Sequence, residues 1–140
     1  MSENVIQIKC FDENCKPVKN GDWIDLFTAE DVNLLKFDFY LISLGVAMKL
    51  PKGFEAIVVP RSSTYIKWGV LQANSIGVID NAYCGNDDIW RFPALAMMDT
   101  FIPKYTRICQ FKVVANQPDW EIEYVDTLDN ENRGGFGSTG

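Results

Sequence analysis

The residues of this chain that suit proton-transfer chemistry stand on one predicted hairpin. Asp80 and Tyr83 lie between Gly77 and Gly85, two glycines that permit tight backbone turns. The sequence contains no histidine, so proton transfer must use a carboxylate, Lys, Tyr, Cys or water. A carboxylate at position 80 can accept a proton from water. The structural alternative is an Asx-type turn in which Asp80 bonds its own backbone.

A second segment has the composition of an anion-binding turn. Residues 60–64 have the sequence Pro-Arg-Ser-Ser-Thr and follow a strand-like run at residues 54–59. Because proline interrupts the hydrogen-bond ladder, the next residues leave the sheet with free N–H groups beside one guanidinium and three hydroxyls.

Asp25 and Gln110 are two further polar positions within apolar runs. Each, taken singly, is typical of a structural aspartate or a surface glutamine.

The last eight residues, 133–140, contain four glycines around one aromatic residue, Phe136. A glycine-rich terminus with nothing to pack against is expected to be mobile in the free protein. Phe136 stabilises nothing there unless it docks on another surface, and the adjoining N–H groups and hydroxyls suit phosphate oxygens. The structural alternative is an irregular terminus without a role.

Composition excludes several classes of function. Thirteen basic and nineteen acidic side chains give a net charge of −6, which argues against the nucleic-acid backbone as the main partner. The absence of histidine removes the Ser-His-Asp triad and HExxH metalloprotease chemistry. Six acids and no base fall within residues 119–131, so the rest of the chain is neutral and can bind an anionic ligand.

The four cysteines indicate free thiols rather than a metal site. Cys10 and Cys15 have near-ligand spacing, but neither Cys84 nor Cys109 completes a second close pair. The sequence shows no signal peptide and no apolar run of the roughly 18 to 20 residues that span a bilayer. We therefore expect a cytoplasmic protein with no membrane association.

Alternating apolar and polar residues predict many short strands and little helix. Residues 119–125 show the clearest alternation, with Trp120, Ile122 and Tyr124 predicted to face inward. Helical turns are predicted only at residues 29–35 and after Ser62. Further strands are predicted at residues 5–11, 37–48, 54–59, 69–73, 76–79, 89–98 and 107–114. In 140 residues this pattern indicates one all-β domain, a sandwich, jelly roll or barrel.

The order of these segments resembles the homotrimeric dUTPase family, the dUTP pyrophosphatases, and its phage and prophage-type members. The resemblance spans residues 21–26, 60–63, 77–85, 107–110 and 134–140. It implies a single jelly-roll or β-barrel-like domain at residues 1–125. Residues 126–140 would form a flexible, glycine-rich C-terminal arm that closes a site on a neighbouring subunit of a homotrimer.

The resemblance also implies a reaction, the hydrolysis of dUTP to dUMP and pyrophosphate, which limits uracil incorporation into DNA and supplies dUMP. Asp80 would activate the water that attacks the α-phosphorus, and Tyr83 would lie under the deoxyribose and exclude a 2′-hydroxyl. The hairpin backbone, including Gly77 and Ile79, would recognise uracil, with Asn74 near the base and the water.

Other positions match family residues that bind the triphosphate or cover the base. Phe136 matches the aromatic residue that covers uracil. Mg²⁺ would be held by the phosphates without a direct protein ligand, and Asp25 would support the site or contact the hydrated ion through water. The positions that match triphosphate-binding residues are Arg61, Ser62, Ser63, Gln110, Gly137, Ser138 and Thr139.

Departures from the family pattern leave alternatives open. Arg133 stands three residues before Phe136 where five is the common spacing, so its contact with phosphate is open. Trp90 or Phe92 could replace Phe136 as the stacking ring. A dCTP deaminase is a rival, but it would need a glutamate on the strand after the hairpin, and residues 89–98 contain none. A nucleotide-gated regulatory protein of the same fold, with an unidentified protein partner, is the other alternative.

Overall fold

A computed structural model describes residues 4–137. Within that range the chain forms short strands, one 3-10 turn at Glu13–Cys15 and one α-helix, α1, at Thr64–Trp68. The strands are β1 (Gln7–Cys10), β2 (Val18–Asn20), β3 (Trp23–Phe27), β4 (Val32–Leu34), β5 (Phe39–Ser43), β6 (Val46–Lys49), β7 (Phe54–Pro60), β8 (Val70–Gln72), β9 (Gly77–Ile79), β10 (Arg91–Ala96), β11 (Thr100–Ile102) and β12 (Arg107–Ala115).

Two larger antiparallel sheets enclose the core. One has the strand order β2-β3-β12-β7-β9 and the other the order β5-β10-β8, while β1 pairs with β6 and β4 with β11. Leu26 and Phe111 of the first sheet share one buried cluster with Ile42 and Phe92 of the second. Trp90 packs edge-on against Phe111, with ring centroids 5.2 Å apart. The predicted all-β fold class is confirmed.

One predicted strand is two strands in the structure. The apolar run at residues 37–48 divides into β5 and β6 around Gly45, whose φ of 67° favours glycine. A Cβ added to Gly45 would lie 3.0 Å from the Cβ of Ala29. This break turns the chain out of one sheet and into its pairing with β1.

The two helical predictions have opposite outcomes. The helical turn predicted at residues 29–35 is wrong, because Val32 and Leu34 are buried with Asn33 exposed between them, and this strand alternation pairs with β11. The turn predicted after Ser62 is confirmed as α1, which ends at Gly69 with a left-handed φ of 63°.

The strand predicted at residues 119–125 is wrong for the chain on its own. Regular structure ends at Ala115, and Trp120, Ile122 and Tyr124 are 67%, 74% and 92% exposed. Both edges of β12 are already occupied, by β3 and β7, so the segment has no free edge beside it there. Alternation alone cannot form a strand without a pairing partner.

Across residues 4–137, none of the helices has the length and apolar character to cross a membrane. The α-helix α1 has five residues.

Candidate functional site

Three neighbouring strands bring the predicted phosphate-binding residues together. Asp25 on β3 is paired with Gln110 on β12, and Gln110 is paired on its other side with Val59 on β7. Since β7 ends at Pro60, Arg61 emerges beside that pair. We call Asp25, Arg61, Arg107 and Gln110 the arginine cluster.

Asp25 is the buried centre of the arginine cluster. Its side chain is fully buried, and Oδ2 lies 3.6 Å from Nε of Arg61 and 3.3 Å from Nη1 of Arg107. The side-chain amide of Asn20 donates a third contact to Oδ2 at 3.2 Å. Oδ1 is buried without a hydrogen-bond partner among the described residues. Asp25 therefore orients two guanidinium groups, and it is the counter-charge that keeps them in place.

The turn that carries Arg61 is held by a buried hydroxyl. Oγ1 of Thr64 donates to the carbonyl of Ile108 at 2.7 Å and accepts from the N–H of Arg61 at 3.0 Å. The amide of Gln110 donates to the carbonyl of Pro60 at 3.2 Å. Between these anchors Ser62 is exposed and Ser63 is half-buried, so the turn presents hydroxyls to a ligand.

The segment predicted to be a hairpin, residues 77–85, lies at the other edge of β7, and the prediction of two paired strands is wrong: the segment has one strand, β9, which pairs with β7, followed by a turn. We keep the name hairpin for this strand and turn. β9 pairs only with β7 among the described strands, with Gly77 opposite Val58 and Ile79 opposite Ala56. A Cβ on Gly77 would lie 3.3 Å from the Cβ of Val58 and 3.5 Å from Nδ2 of Asn74. Val58 and Asn74 approach the backbone of Gly77 so closely that a larger side chain would be crowded there, which explains the glycine. Asn74 therefore lies beside Gly77.

Asp80 combines both alternatives that the sequence left open. Its Oδ1 accepts a hydrogen bond from the N–H of Ala82 at 3.0 Å, which is an Asx-type turn. The N–H of Tyr83 donates to the Asp80 carbonyl at 3.0 Å and closes the turn. The residue is nevertheless exposed. The turn therefore orients a carboxylate that solvent can reach.

Asp80 and Tyr83 line a cleft of about 330 Å³. The hydroxyl of Tyr83 donates to the carbonyl of Ile89 at 2.9 Å and fixes the ring as one wall. The cleft thus joins one carboxylate and one guanidinium to an apolar surface. Its lining residues are Val78, Ile79, Asp80, Tyr83, Ile89, Trp90 and Arg91.

The alternative stacking rings are not available. Trp90 is 1% exposed and Phe92 is fully buried, because both belong to the core. The interpretation that either replaces Phe136 over the base is therefore wrong. Phe136 itself is fully exposed, as is Arg133 in the same segment. Ser138 and Thr139 lie outside the described residues, and Gly137 is the last residue within them.

The arginine cluster and the Asp80 cleft are separated along β7. Ile79 pairs with Ala56, five residues before Arg61, so the two sites are roughly 17 Å apart at 3.3 Å per residue. Asp80 lies one residue further away. A general base acts at hydrogen-bond distance or through one water. One chain therefore does not place Asp80 and Arg61 on the same phosphate group.

The sequence predictions gave Arg107 and Arg91 no role, and they counted the Thr64 hydroxyl among those that bind an anion, which is wrong because Thr64 is buried and bonds to Ile108. Arg107 stands within a motif that the resemblance used, residues 107–110; it pairs with Phe27 on β3, and its side chain reaches Asp25. The sequence carries no signal for the buried position of Thr64, because a buried hydroxyl and a ligand-facing hydroxyl look the same in an amino-acid sequence.

The side chains that could serve as metal ligands are compatible with a Mg²⁺ ion that is bound to the phosphates of a substrate. No group of three His, Cys, Asp or Glu side chains that could hold a metal ion is found in residues 4–137. Mg²⁺ commonly retains water and uses substrate phosphates with one or two carboxylates. The donors present therefore fit a phosphate-held ion rather than a protein cage.

Burial changes the pKa of two cysteine thiols, Cys109 and Cys15. Burial, with a smaller contribution from the charge of Asp25, raises the pKa of Cys109. Burial raises the pKa of Cys15 to about 11. Cys84, on the hairpin, is exposed, and all four cysteines are free.

An all-β domain with a hydroxyl-rich arginine turn and an exposed carboxylate hairpin defines a class of nucleotide-binding proteins, and sequence comparison identifies which one. The dUTPase family model matches residues 15–140. A SPbeta prophage-derived deoxyuridine 5′-triphosphate nucleotidohydrolase of Bacillus subtilis is 54% identical over 96% of this chain and 97% of its own length. The deoxyuridine 5′-triphosphate nucleotidohydrolase of Hydrogenobaculum is 39% identical over 84% and 82%. The chain belongs to the dUTPase family.

Solved structures share the fold. The dUTPase of Staphylococcus bacteriophage 80alpha with dUPNHPP has a TM-score of 0.81 at 22% identity, covering 98% of this chain and 99% of its own. A mutant dUTPase from phage phi11 of S. aureus, with a structural Mg(II) ion, has a TM-score of 0.75 at 19% identity, covering 91% and 100%.

The geometry predicts that Thr64→Val destabilises the arginine turn. Valine keeps the volume but leaves the Ile108 carbonyl and the Arg61 N–H without their partner, so the free energy of unfolding should fall by about 1 to 3 kcal/mol. Urea unfolding measures this loss. Thr64→Ser, which keeps the hydroxyl, is the control and should lose less. A Thr64→Val variant as stable as the wild type, or a larger loss in Thr64→Ser than in Thr64→Val, would show that the hydroxyl does not stabilise the turn as described.

Proposed function

We propose that this chain hydrolyses dUTP to dUMP and pyrophosphate by attack of water on the α-phosphorus, which limits uracil incorporation into DNA and supplies dUMP. The observation that carries the proposal is the exposed, turn-oriented carboxylate of Asp80 in an open cleft with Tyr83. The identity of 54% to a deoxyuridine 5′-triphosphate nucleotidohydrolase supports the choice of substrate.

Asp80 is the general base in this proposal. The bond from Ala82 holds Oδ1, so the carboxylate is oriented before the substrate binds, and exposure lets it contact a water. The proton of the attacking water passes to Asp80 while the bond from the α-phosphorus to the bridging oxygen breaks. Pyrophosphate then leaves on the opposite side from the water.

Recognition of deoxyuridine is assigned to the hairpin. The exposed Tyr83 ring, fixed through Ile89, forms a wall against which a deoxyribose can pack, and a 2′-hydroxyl would meet it. Backbone groups of Gly77 and Ile79, with the amide of Asn74, offer donors and acceptors for uracil. Every residue type except proline has the same backbone N–H and C=O groups. Recognition of uracil by these groups therefore depends on the backbone conformation rather than on the side chains.

The triphosphate is assigned to Arg61, Ser62, Ser63 and Gln110. Transfer of a phosphoryl group needs positioning and charge neutralisation more than covalent chemistry, and a guanidinium with hydroxyls and N–H groups supplies both. Mg²⁺ bound to the phosphates would neutralise further charge. Two roles are expected for Asp25. Its ion pairs with Arg61 and Arg107 support the first role, which is to position these arginines. The second role, contact with a hydrated Mg²⁺ through water, stays a prediction.

A site of this kind requires more than one copy of the chain, and we propose a homotrimer. The roughly 17 Å between the Asp80 cleft and the arginine cluster means that Asp80 of one copy meets Arg61 of another. A complete site therefore exists only between subunits.

The outer face of the β5-β10-β8 sheet is the proposed contact. Phe39, Leu41 and Leu71 are 57%, 47% and 42% exposed there, and Pro93 and Leu95 lie opposite them in register on the same face. Exposed apolar patches of this kind mark interaction surfaces. Arg91, at the start of the same face, lines the Asp80 cleft. A copy seated on this face would consequently border the cleft.

Residues 126–140 are proposed as an arm that closes a site on a neighbouring subunit. Phe136 packs on none of the residues 4–137 of its own chain, and an exposed phenylalanine gains stability only by docking. The exposed alternation of Trp120, Ile122 and Tyr124 offers a strand that would pair with an edge of another copy. Arg133, Gly137, Ser138 and Thr139 would then approach the phosphates.

A cytoplasmic location is also proposed. Its support is the set of four free cysteines, since exposed and buried thiols persist where the compartment is reducing.

The proposed base predicts the effect of Asp80→Asn. The variant should remain folded, because the amide oxygen can still accept from Ala82, while turnover of dUTP falls by roughly 100-fold to 10,000-fold. Asp87→Asn, which removes a carboxylate from the same loop, is the matched control and should keep wild-type turnover. Pyrophosphate release is measured with dUTP, dTTP, dCTP and UTP, with and without Mg²⁺.

Only dUTP with Mg²⁺ should give rapid release. Ammonia release from dCTP would instead identify a deaminase, and unchanged turnover in folded Asp80→Asn would remove Asp80 from the mechanism.

The proposed arm predicts a separation of stability from activity. Deleting residues 134–140 should lower turnover by at least about 10-fold, because closure over the substrate excludes water from the reacting groups. The thermal midpoint should change little, since Phe136 packs on nothing in its own chain. Phe136→Ala alone should show part of the same loss. A truncated chain that unfolds would contradict the proposed arm.

A further inference from the structure

We propose that Arg91 binds the α-phosphate of the substrate, as a cation supplied by the same copy that supplies Asp80. The inference rests on the proposed function and deepens it. It assigns a phosphate-binding role to a residue outside the arginine turn and outside the C-terminal arm.

The position of Arg91 is the first argument. It is the first residue of β10 and lines the Asp80 cleft, where it is the one basic residue in the lining. It is exposed, and its register partner on β5 is Ser43. β10 alternates Arg91, Pro93 and Leu95 on the outer face with buried Phe92 and Ala94 between them, so the sheet itself directs the guanidinium outward.

The second argument is that Arg91 has no acidic partner among the described residues. The carboxylate of Asp80 shares the cleft, but the pair is not within ion-pair distance. Glu30 contacts the strand next to Arg91 but is already engaged: its Oε2 accepts from the N–H of Ser43, the register partner of Arg91, at 3.0 Å, and its Oε1 accepts from the Tyr40 hydroxyl at 2.6 Å. A guanidinium beside an open cleft is thus left available for an external anion.

The third argument is the charge balance of the reaction. Asp80 can activate water only next to the α-phosphorus, so the α-phosphate must enter a cleft that already contains one carboxylate. The other lining side chains carry no charge: they are apolar except for the Tyr83 hydroxyl, which bonds to Ile89, and the indole N–H of Trp90, which is buried without a partner among the described residues. Arg61 of the same chain is roughly 17 Å away. Arg91 is therefore the group within the cleft that can offset the repulsion between Asp80 and the phosphate and the charge that develops during attack.

The test uses Arg91→Gln and Arg91→Lys in the full-length protein, with Lys52→Gln as a control that changes net charge equally at an exposed loop position. Arg91→Gln should lower kcat/KM for dUTP by about 100-fold, and Arg91→Lys, which keeps the charge but loses bidentate geometry, should lose less. Lys52→Gln should match the wild type. Sedimentation and thermal unfolding of each variant establish assembly and folding.

Ligand binding separates phosphate contact from a structural role. Arg91→Gln should weaken dUMP binding by about 10-fold and leave deoxyuridine binding unchanged, because deoxyuridine has the same base and sugar without phosphate. Equal weakening of both ligands would overturn the inference, as would wild-type kcat/KM in Arg91→Gln. Loss of assembly with turnover restored at high protein concentration would also overturn it, and make Arg91 an interface residue. A wild-type protein that does not hydrolyse dUTP would instead refute the proposed function itself.

Discussion

The register of β7 is the constraint on which the site depends. This strand pairs with β12 on one edge and with β9 on the other. The first pairing aligns Val59 with Gln110, which β12 in turn aligns with Asp25 of β3, and it delivers Arg61 to the same end of the sheet. The second fixes Gly77 opposite Val58 and carries Asp80 toward the opposite end. The backbone hydrogen bonds of β7 thus position both the arginine cluster and the Asp80 cleft. The same hydrogen bonds also keep these two parts of the site apart within one chain.

That separation gives a common explanation for features that a lone chain does not explain. The apolar outer face of the β5-β10-β8 sheet, the exposed alternation after residue 118 and the unpacked Phe136 all leave apolar area in water, at a cost of roughly 25 cal/mol per Å². Each would be relieved by contact with another copy, and the same contact would bring Asp80 and Arg61 together. Assembly and catalysis then have one structural origin.

The sequence predicted the fold class and the position of most site segments, because alternation and turn residues are local signals. Proline at 60 marked the end of β7 and glycine at 77 the start of β9 correctly, but the hairpin predicted at residues 77–85 is one strand followed by a turn. The strands β2, β3, β4 and β11 were missed, and residues 29–35 were assigned to a helix, because short strands of three to five residues are stabilised by partners distant in sequence. The burial of Trp90 and Phe92, and the bond from Thr64 to Ile108, likewise depend on long-range packing. The inward face predicted for residues 119–125 failed because none of the described strands pairs with this segment.

Complementation between inactive variants tests the shared site most directly. Asp80→Asn and Arg61→Gln chains, each inactive alone, are unfolded together in urea in equal amounts and refolded, and dUTP hydrolysis is measured. If each site takes Asp80 from one copy and Arg61 from another, random assembly restores about one quarter of wild-type activity, since one pairing in four carries both intact residues. If both residues act within one chain, the mixture stays as inactive as its components, and the account of a site divided between subunits is wrong.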